Sequence, residues 1–314
     1  MKQYCFGIDI GGTTVKCGLF TTAGEVLDKW EIVTDTSEGG KGILPDVART
    51  ILDKMEEKHL DRDQIAGVGV GVPGPVLKER EVAVAVNLHW GYTMLADDLE
   101  KLLGGGISVK VGNDANVAAL GEMWKGGGEG YRNLIMATLG TGVGGGIIVD
   151  GKIVTGAHGA GGEIGHACVE PEETERCNCG NRGCLEQMAS ATGMVRLAKK
   201  ILDATEEPSV LRTGEISAKT VFDAYKAGDS VAARIVDKFA SYLGNALAIF
   251  SCVVDPDVIV LGGGVSKAGQ PLIDAVKVYF RRDAFTTCKE TPIVLAKLGN
   301  DAGIYGAAKL VVEE

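Results

Sequence analysis

Apolar residues follow two different spacings along this chain, and the alternation between them predicts its architecture. Residues 4–10 (YCFGIDI), 14–20 and 25–33 are short β-type runs, the first two joined by Gly11-Gly12-Thr13. From 43 to 58 the spacing changes: Ile43, Val47, Ile51, Leu52 and Met55 recur at helical intervals. An apolar strand at 65–74 ends in Pro73-Gly74, and a helix near 93–103, a strand near 107–111 and a helix over 114–125 follow. Strands and helices alternating in this way predict an α/β fold. The second half repeats the opening, with a strand at 133–139, the turn Gly140-Thr141-Gly142 and a strand at 143–149. We read this as an internal duplication, two α/β units with equivalent hairpins. Residues 156–186 are irregular and rich in Gly, Cys and His. Helices are expected at 190–203, 217–226, 229–252, 270–281 and 302–311, with strands at 257–261 and 292–296. No low-complexity linker separates the halves. The expected division is a small domain over 1–117 and a large one over 118–301, with 302–314 packing back on the first.

Composition sharpens this picture. Of 314 residues 46 are glycine, roughly twice the usual share of about 7%. With 45% hydrophobic content the chain has the means to bury a core, so the glycines serve turns and close backbone approaches rather than disorder. The balance of 32 basic against 42 acidic residues gives −10, which argues against a broad nucleic-acid face. No apolar run approaches the roughly 18 residues of a membrane span. Met1-Lys2-Gln3-Tyr4 leads straight into a strand, so a cytoplasmic location is expected. Cys177, Cys179 and Cys184 crowd together while the other five cysteines stand singly. In such a setting this favours metal binding over disulfides.

Four motifs carry candidate chemistry. The first is Asp9-Ile10-Gly11-Gly12-Thr13-Thr14-Val15-Lys16. Its glycines admit an anion to the backbone, its N–H and Thr hydroxyl groups donate to phosphate oxygens, and Asp9 is placed to hold a magnesium-bound water. An ordinary Gly-Gly hairpin is the alternative; the recurrence of the design at Gly140-Thr141-Gly142 favours a pair of phosphate clasps. No GxxxxGK[ST] loop is present. The second motif, Gly112-Asn113-Asp114-Ala115-Asn116, sits between a strand and a helix, where Asp114 is either a plain N-cap or a general base at a strand's carboxyl end. In the third, Gly162-Glu163-Ile164-Gly165-His166 precedes Cys177-x-Cys179 and Cys184-Leu185-Glu186. One imidazole and three thiolates satisfy a tetrahedral structural zinc, with Glu163 and Glu186 held beside it as acceptors for a polyhydroxylated ligand. The fourth, Gly262-Gly263-Gly264, is either a nucleotide-facing strand–helix junction or a tight βα turn. Glycines 104–106 and 126–128 read as plain turns, and His59, His89 and His158 as surface or packing residues.

Taken together, Asp9-x-Gly-Gly-Thr, Asn113-Asp114-Ala-Asn, Gly-Glu163-x-Gly-His166 and C-x-C-G-x-x-G-C-L-E resemble the ROK family of sugar kinases and sugar-responsive repressors, over essentially the whole chain. The stretch Ala189-Ser190-Ala191-Thr192-Gly193 is most similar to its bacterial glucokinase branch. The resemblance implies an actin-like ATPase fold, two α/β domains with ribonuclease-H-like cores around a cleft, closing over ATP and sugar. It implies Asp114 as catalytic base, with Asn113, Glu163, His166, Glu186 and, more peripherally, Gly74 and Asn87 against the sugar. His166, Cys177, Cys179 and Cys184 match the zinc ligands. Asp9, Gly11, Gly12, Thr13, Thr14 and Lys16, with Gly140, Thr141 and Gly142, match the phosphate hairpins, and Gly262, Gly263 and Gly264 the adenosine region. Gly112 departs from the Glu that many relatives carry there. Repressor members carry an N-terminal helix-turn-helix, whereas here the phosphate motif begins at residue 9, which favours an enzyme. The implied activity is ATP- and Mg²⁺-dependent phosphorylation of glucose at the 6-hydroxyl, in a homodimer or homotetramer. A kinase for another sugar, such as N-acetylmannosamine or fructose, and a non-enzymatic sensor are the alternatives.

Overall fold

A computed structural model describes residues 2–312. In chain order its main elements are β1 (Tyr4–Ile10), β2 (Thr14–Thr21), β3 (Val26–Val33), α1 (Ile43–Glu57), β4 (Ile65–Val72), α2 (Leu95–Leu102), β5 (Val109–Asn113) and α3 (Asp114–Lys125). Then come β6 (Leu134–Leu139), β7 (Val143–Val149), α4 (Leu185–Ala189), α5 (Ala191–Asp203), α6 (Ala218–Lys226), α7 (Ser230–Val254), β8 (Val258–Gly262), α8 (Gln270–Asp283), β9 (Ile293–Leu295) and α9 (Ala302–Leu310). Residues 313 and 314 of the expected closing segment lie outside the described residues. The chain forms two compact units, the first comprising residues up to Gly130, Lys152–Gly162 and the segment from Lys297, the second Tyr131–Gly151 and Glu163–Ala296.

Unit 1 is built on a sheet in the order β3-β2-β1-β4-β5. β1 pairs antiparallel with β2 and parallel with β4, and β4 pairs parallel with β5. α1 covers one face because Ile43, Val47, Ile51 and Met55 fall on one side of the helix and are buried. The other face receives α9. Here the approach is backbone on backbone: a Cβ at Gly7 of β1 would overlap the Ile304 carbonyl, and one at Gly69 of β4 the Ala307 carbonyl. The neighbouring helix α3 is met in the same way: a Cβ at its Gly121 would overlap the Ala302 carbonyl, and one at Gly306 of α9 the Val117 carbonyl. This seating keeps α3 with unit 1, which runs past residue 117 to Gly130.

Unit 2 repeats the topology. Its strands run in the order β7-β6-β8-β9: β6 pairs antiparallel with β7 and parallel with β8, and β8 pairs parallel with β9. Its core joins Ile135 and Ala137 of β6, Ile259 and Leu261 of β8, and the buried face of α7. The duplication read from the paired hairpins is therefore a duplication of strand order. It also aligns positions: Asp9 lies opposite Gly71 of β4, and Thr138 opposite Gly262 of β8. Only the first copy carries an acid there.

Gly126 does more than turn the chain. Glu122, fully buried on α3, accepts hydrogen bonds from the backbone N–H groups of Gly127 (2.7 Å), Lys297 (2.9 Å) and Leu298 (2.8 Å). A Cβ at Gly126 would overlap that carboxylate. Charge-assisted bonds of this kind are what make burial of a carboxylate tolerable. They tie the segment in which the chain first leaves unit 1, at Gly130, to the one in which it last returns, at Lys297.

Candidate functional site

In unit 1 the site is assembled at the carboxyl ends of β1, β4 and β5. Asp9 ends β1 opposite Lys16 of β2. Burial pushes its carboxyl up to about 6, the charge of Asp114 adds to the rise, and Lys16 opposes it. A Cβ at Gly303 would overlap the Asp9 carboxylate, so α9 reaches the site as well as the core. The hairpin between β1 and β2 closes with the Gly11 N–H donating to the Thr14 carbonyl at 3.0 Å. Gly12 lies against Asn87, 3.5 Å from the position of a Cβ to the Asn87 Cβ.

Asn113, not Asp114, caps α3: its Oδ1 accepts from the N–H groups of Ala115 (3.0 Å) and Asn116 (3.2 Å). Its Nδ2 donates to the Gly74 carbonyl at 3.1 Å. Asp114 is thus the first helical residue, relieved of the main capping duty although its Oδ1 accepts from the Ala115 N–H at 2.7 Å. The structure brings Asp9, Asp114, Asn113 and Gly74 into one neighbourhood. Two carboxylates that raise one another's cost of ionisation are a setting that a divalent cation relieves.

This raised carboxyl has a sign that can be tested. The folded value lies above the ordinary 3.8, so ionised Asp9 destabilises the fold by roughly 2–3 kcal/mol at about 1.4 kcal/mol per unit. The cost is absent at low pH, develops between about pH 4 and 6, and is complete above 6. Asp9→Asn is expected to raise the denaturant midpoint, by more at pH 8 than at pH 5. A lower midpoint at pH 8 would contradict the assigned environment.

In unit 2 the third motif folds into a knuckle. Gly180 and Gly183 have φ of 91° and 67°, the left-handed region that glycine enters without strain. A Cβ at Gly183 would also overlap the Glu170 carbonyl. The result gathers one ligand atom each from His166, Cys177, Cys179 and Cys184 within 4.8 Å of one another. Cys179 Sγ and Cys184 Sγ are 3.6 Å apart, and Cys177 Sγ is 3.9 Å from His166 Nδ1. A tetrahedron with arms of about 2.3 Å has edges of about 3.8 Å, so the donor set fits zinc. Burial and the neighbouring thiols push Cys184 up to about 12, so metal uptake releases protons. Native mass spectrometry is expected to find one zinc per chain, and Cys184→Ser to lose it along with several degrees of melting temperature. A wild-type chain purified with zinc-replete medium and carrying none would refute the centre.

The candidate metal ligands adjoin both acidic residues. His166 presents Nε2 toward Glu163, 3.9 Å from its carboxylate. Glu186 accepts from the Val143 N–H at 3.2 Å and from the Cys177 thiol at 3.6 Å. Its carboxylate fills the space that a side chain on Gly142 would need. Gly140, Thr141 and Gly142 close one residue tighter than the first hairpin, with the Gly140 N–H donating to the Gly142 carbonyl at 3.0 Å. Gly263, φ 80°, packs on the Leu139 backbone. Beside it a pocket of about 210 Å³ is lined by Gly264, Val265 and Lys267 together with Lys219, Phe222 and Asp223 of α6. The α6 residues escaped sequence reading because nothing in their spacing distinguishes them from an ordinary amphipathic helix.

The chain matches the ROK family profile across residues 5–314. It is 43% identical to the glucokinase of Halalkalibacterium halodurans over 99% of this chain and 96% of that one. Its structure is similar to the ROK hexokinase of Thermus thermophilus, with a TM-score of 0.81, 31% identity, and coverage of 98% of this chain and 97% of that one. It is also similar to a ROK family glucokinase of Streptomyces griseus in complex with glucose and AMPPNP, with a TM-score of 0.74, 35% identity and 98% of both chains covered. With motifs, duplicated strand order and chain-long likeness in agreement, the protein belongs to the ROK family and has its actin-like ATPase fold.

Proposed function

We propose that this protein is a glucokinase, transferring the γ-phosphoryl group of ATP to the 6-hydroxyl of glucose in cytoplasmic carbohydrate metabolism. The observation that carries this reading is the 43% identity, along the whole chain, to a glucokinase. The carboxylate pair Asp9 and Asp114 supplies the chemistry such a transfer needs. Asp114 takes the hydroxyl proton as the sugar oxygen bonds to the γ-phosphorus and the bond to the β-phosphate oxygen breaks. Asn113, Glu163, His166 and Glu186, with Gly74 and Asn87, contact the sugar. Phosphates are received by the hairpins Asp9–Thr14 and Gly140–Gly142 with Lys16, and the adenosine by the pocket at Gly262–Gly264. Asp9 would hold Mg²⁺ through water, and the ion would neutralise phosphate charge.

Coupled measurement of ATP consumption across a panel of hexoses and amino sugars tests it. Glucose is expected to give the highest kcat/KM. N-acetylmannosamine or fructose in that place would reassign the substrate, and sugar binding without ATP consumption would make the protein a sensor.

A further inference from the structure

Each of the two phosphate hairpins has two carbonyls held by a threonine hydroxyl and a backbone N–H, though at different positions of the turn. In unit 1 the Thr34 hydroxyl donates to the Gly11 carbonyl at 2.7 Å, and the Thr34 N–H to the Thr13 carbonyl at 3.0 Å. In unit 2 the Thr192 hydroxyl donates to the Thr141 carbonyl at 2.6 Å, and the Ala191 N–H to the Gly140 carbonyl at 2.8 Å. The third carbonyl of this turn, Gly142, already accepts from Gly140. Each turn therefore has a threonine hydroxyl and a backbone N–H on its carbonyls, although Thr34 follows a strand and Thr192 opens a helix. The same solution reached from different local structure points to a requirement of the turn itself.

The requirement is electrostatic. A peptide turn offers both carbonyls and N–H groups, and an anion approaches only where the N–H groups face it. Occupying the carbonyls fixes the turn with its donors toward the phosphate before the nucleotide arrives, so less is lost in ordering it.

In unit 2 the grip is also directional. Ser190 is fully buried and its Oγ accepts from the Gly193 N–H at 2.9 Å, leaving its hydrogen for Thr192 Oγ1, also at 2.9 Å. Thr192 then has its own hydrogen for Thr141. The relay begins at Ser190, the residue where α4 meets α5, and α4 is itself capped by the zinc ligand Cys184.

We infer that Thr192, relayed from Ser190, is a positioning residue for the phosphate donor and that Thr34 is its counterpart on the first hairpin. The inference rests on the sugar-kinase reading above. The informative variant is Thr192→Val, which keeps the shape and removes the hydroxyl at an exposed position where folding is not at stake.

It is expected to raise the KM for ATP roughly three- to tenfold, the cost of one hydrogen bond. The KM for glucose, kcat and zinc content should stay within twofold, and Thr192→Ser should restore the ATP value. Titration with a non-hydrolysable ATP analogue should show the same weakening without turnover. An unchanged affinity for ATP and analogue would overturn the inference, as would an equal rise in both KM values. If the wild-type chain phosphorylated no sugar and the analogue still bound more weakly to Thr192→Val, the sugar-kinase reading would fall and the positioning role would stand.

Discussion

Asp114→Asn is expected to lower glucose phosphorylation about a thousandfold while glucose binding survives. The asparagine keeps the size of the side chain and removes only its ability to take a proton, and a positioned general base contributes about 10²–10⁴ to such a step. The substitution leaves the helix start intact, because the cap belongs to Asn113 and its bonds to Ala115, Asn116 and Gly74 do not involve residue 114. It also lessens the charge crowding on Asp9, so stability should hold or rise. A coupled assay and calorimetric titration with glucose make the test. Retention of more than a tenth of wild-type turnover would remove Asp114 from the role.

The second large effect is on stability. Gly306→Ala is expected to lower the melting temperature by about 4–5 °C, from a loss of about 3 kcal/mol in a chain of this size. Helix propensity alone favours alanine by up to about 1 kcal/mol. That gain loses here because the new methyl would sit far inside the 3.0 Å that real Cβ atoms keep, against the Val117 carbonyl and the Gly121 backbone. Backbone atoms of α3 have no rotamer into which to retreat, so the helices must part. Gly91→Ala is the control, since nothing lies within 4 Å of a Cβ there. Equal melting temperatures for the two variants would contradict the packing described.

Elements with strong periodicity were legible from the amino acids alone. The helix expected at 43–58 is Ile43–Glu57, and the paired hairpins are where the glycines and threonines announced them. Boundaries set by pairing were less so: the strand near 107–111 is Val109–Asn113, because Gly112 and Asn113 pair with Gly71 and Val72. The loop region before residue 190 hides a further short helix, Leu185–Ala189, broken from the next at Ser190. At the site, the cysteine and histidine spacing was sufficient to foresee the four-residue cluster, since their separation is short. What remained invisible depends on residues far apart in the chain. Nothing local to Gly69 announces the Ala307 carbonyl, and nothing local to Gly303 announces Asp9.

The seating of α9 on Gly7, Gly69 and Gly121 has a consequence for biosynthesis. A ribosome delivers β1 first and α9 only after the last residue of unit 2, so the glycine-lined face of the first sheet stays bare through most of translation. Unit 2 holds its entire core between Tyr131 and Ala296, and α9 begins at Ala302, so the two units are completed almost together. The unit begun first is therefore finished no sooner than the second, and the nascent chain carries an open, side-chain-poor surface on which a chaperone or a neighbouring polysome product competes with its own missing helix.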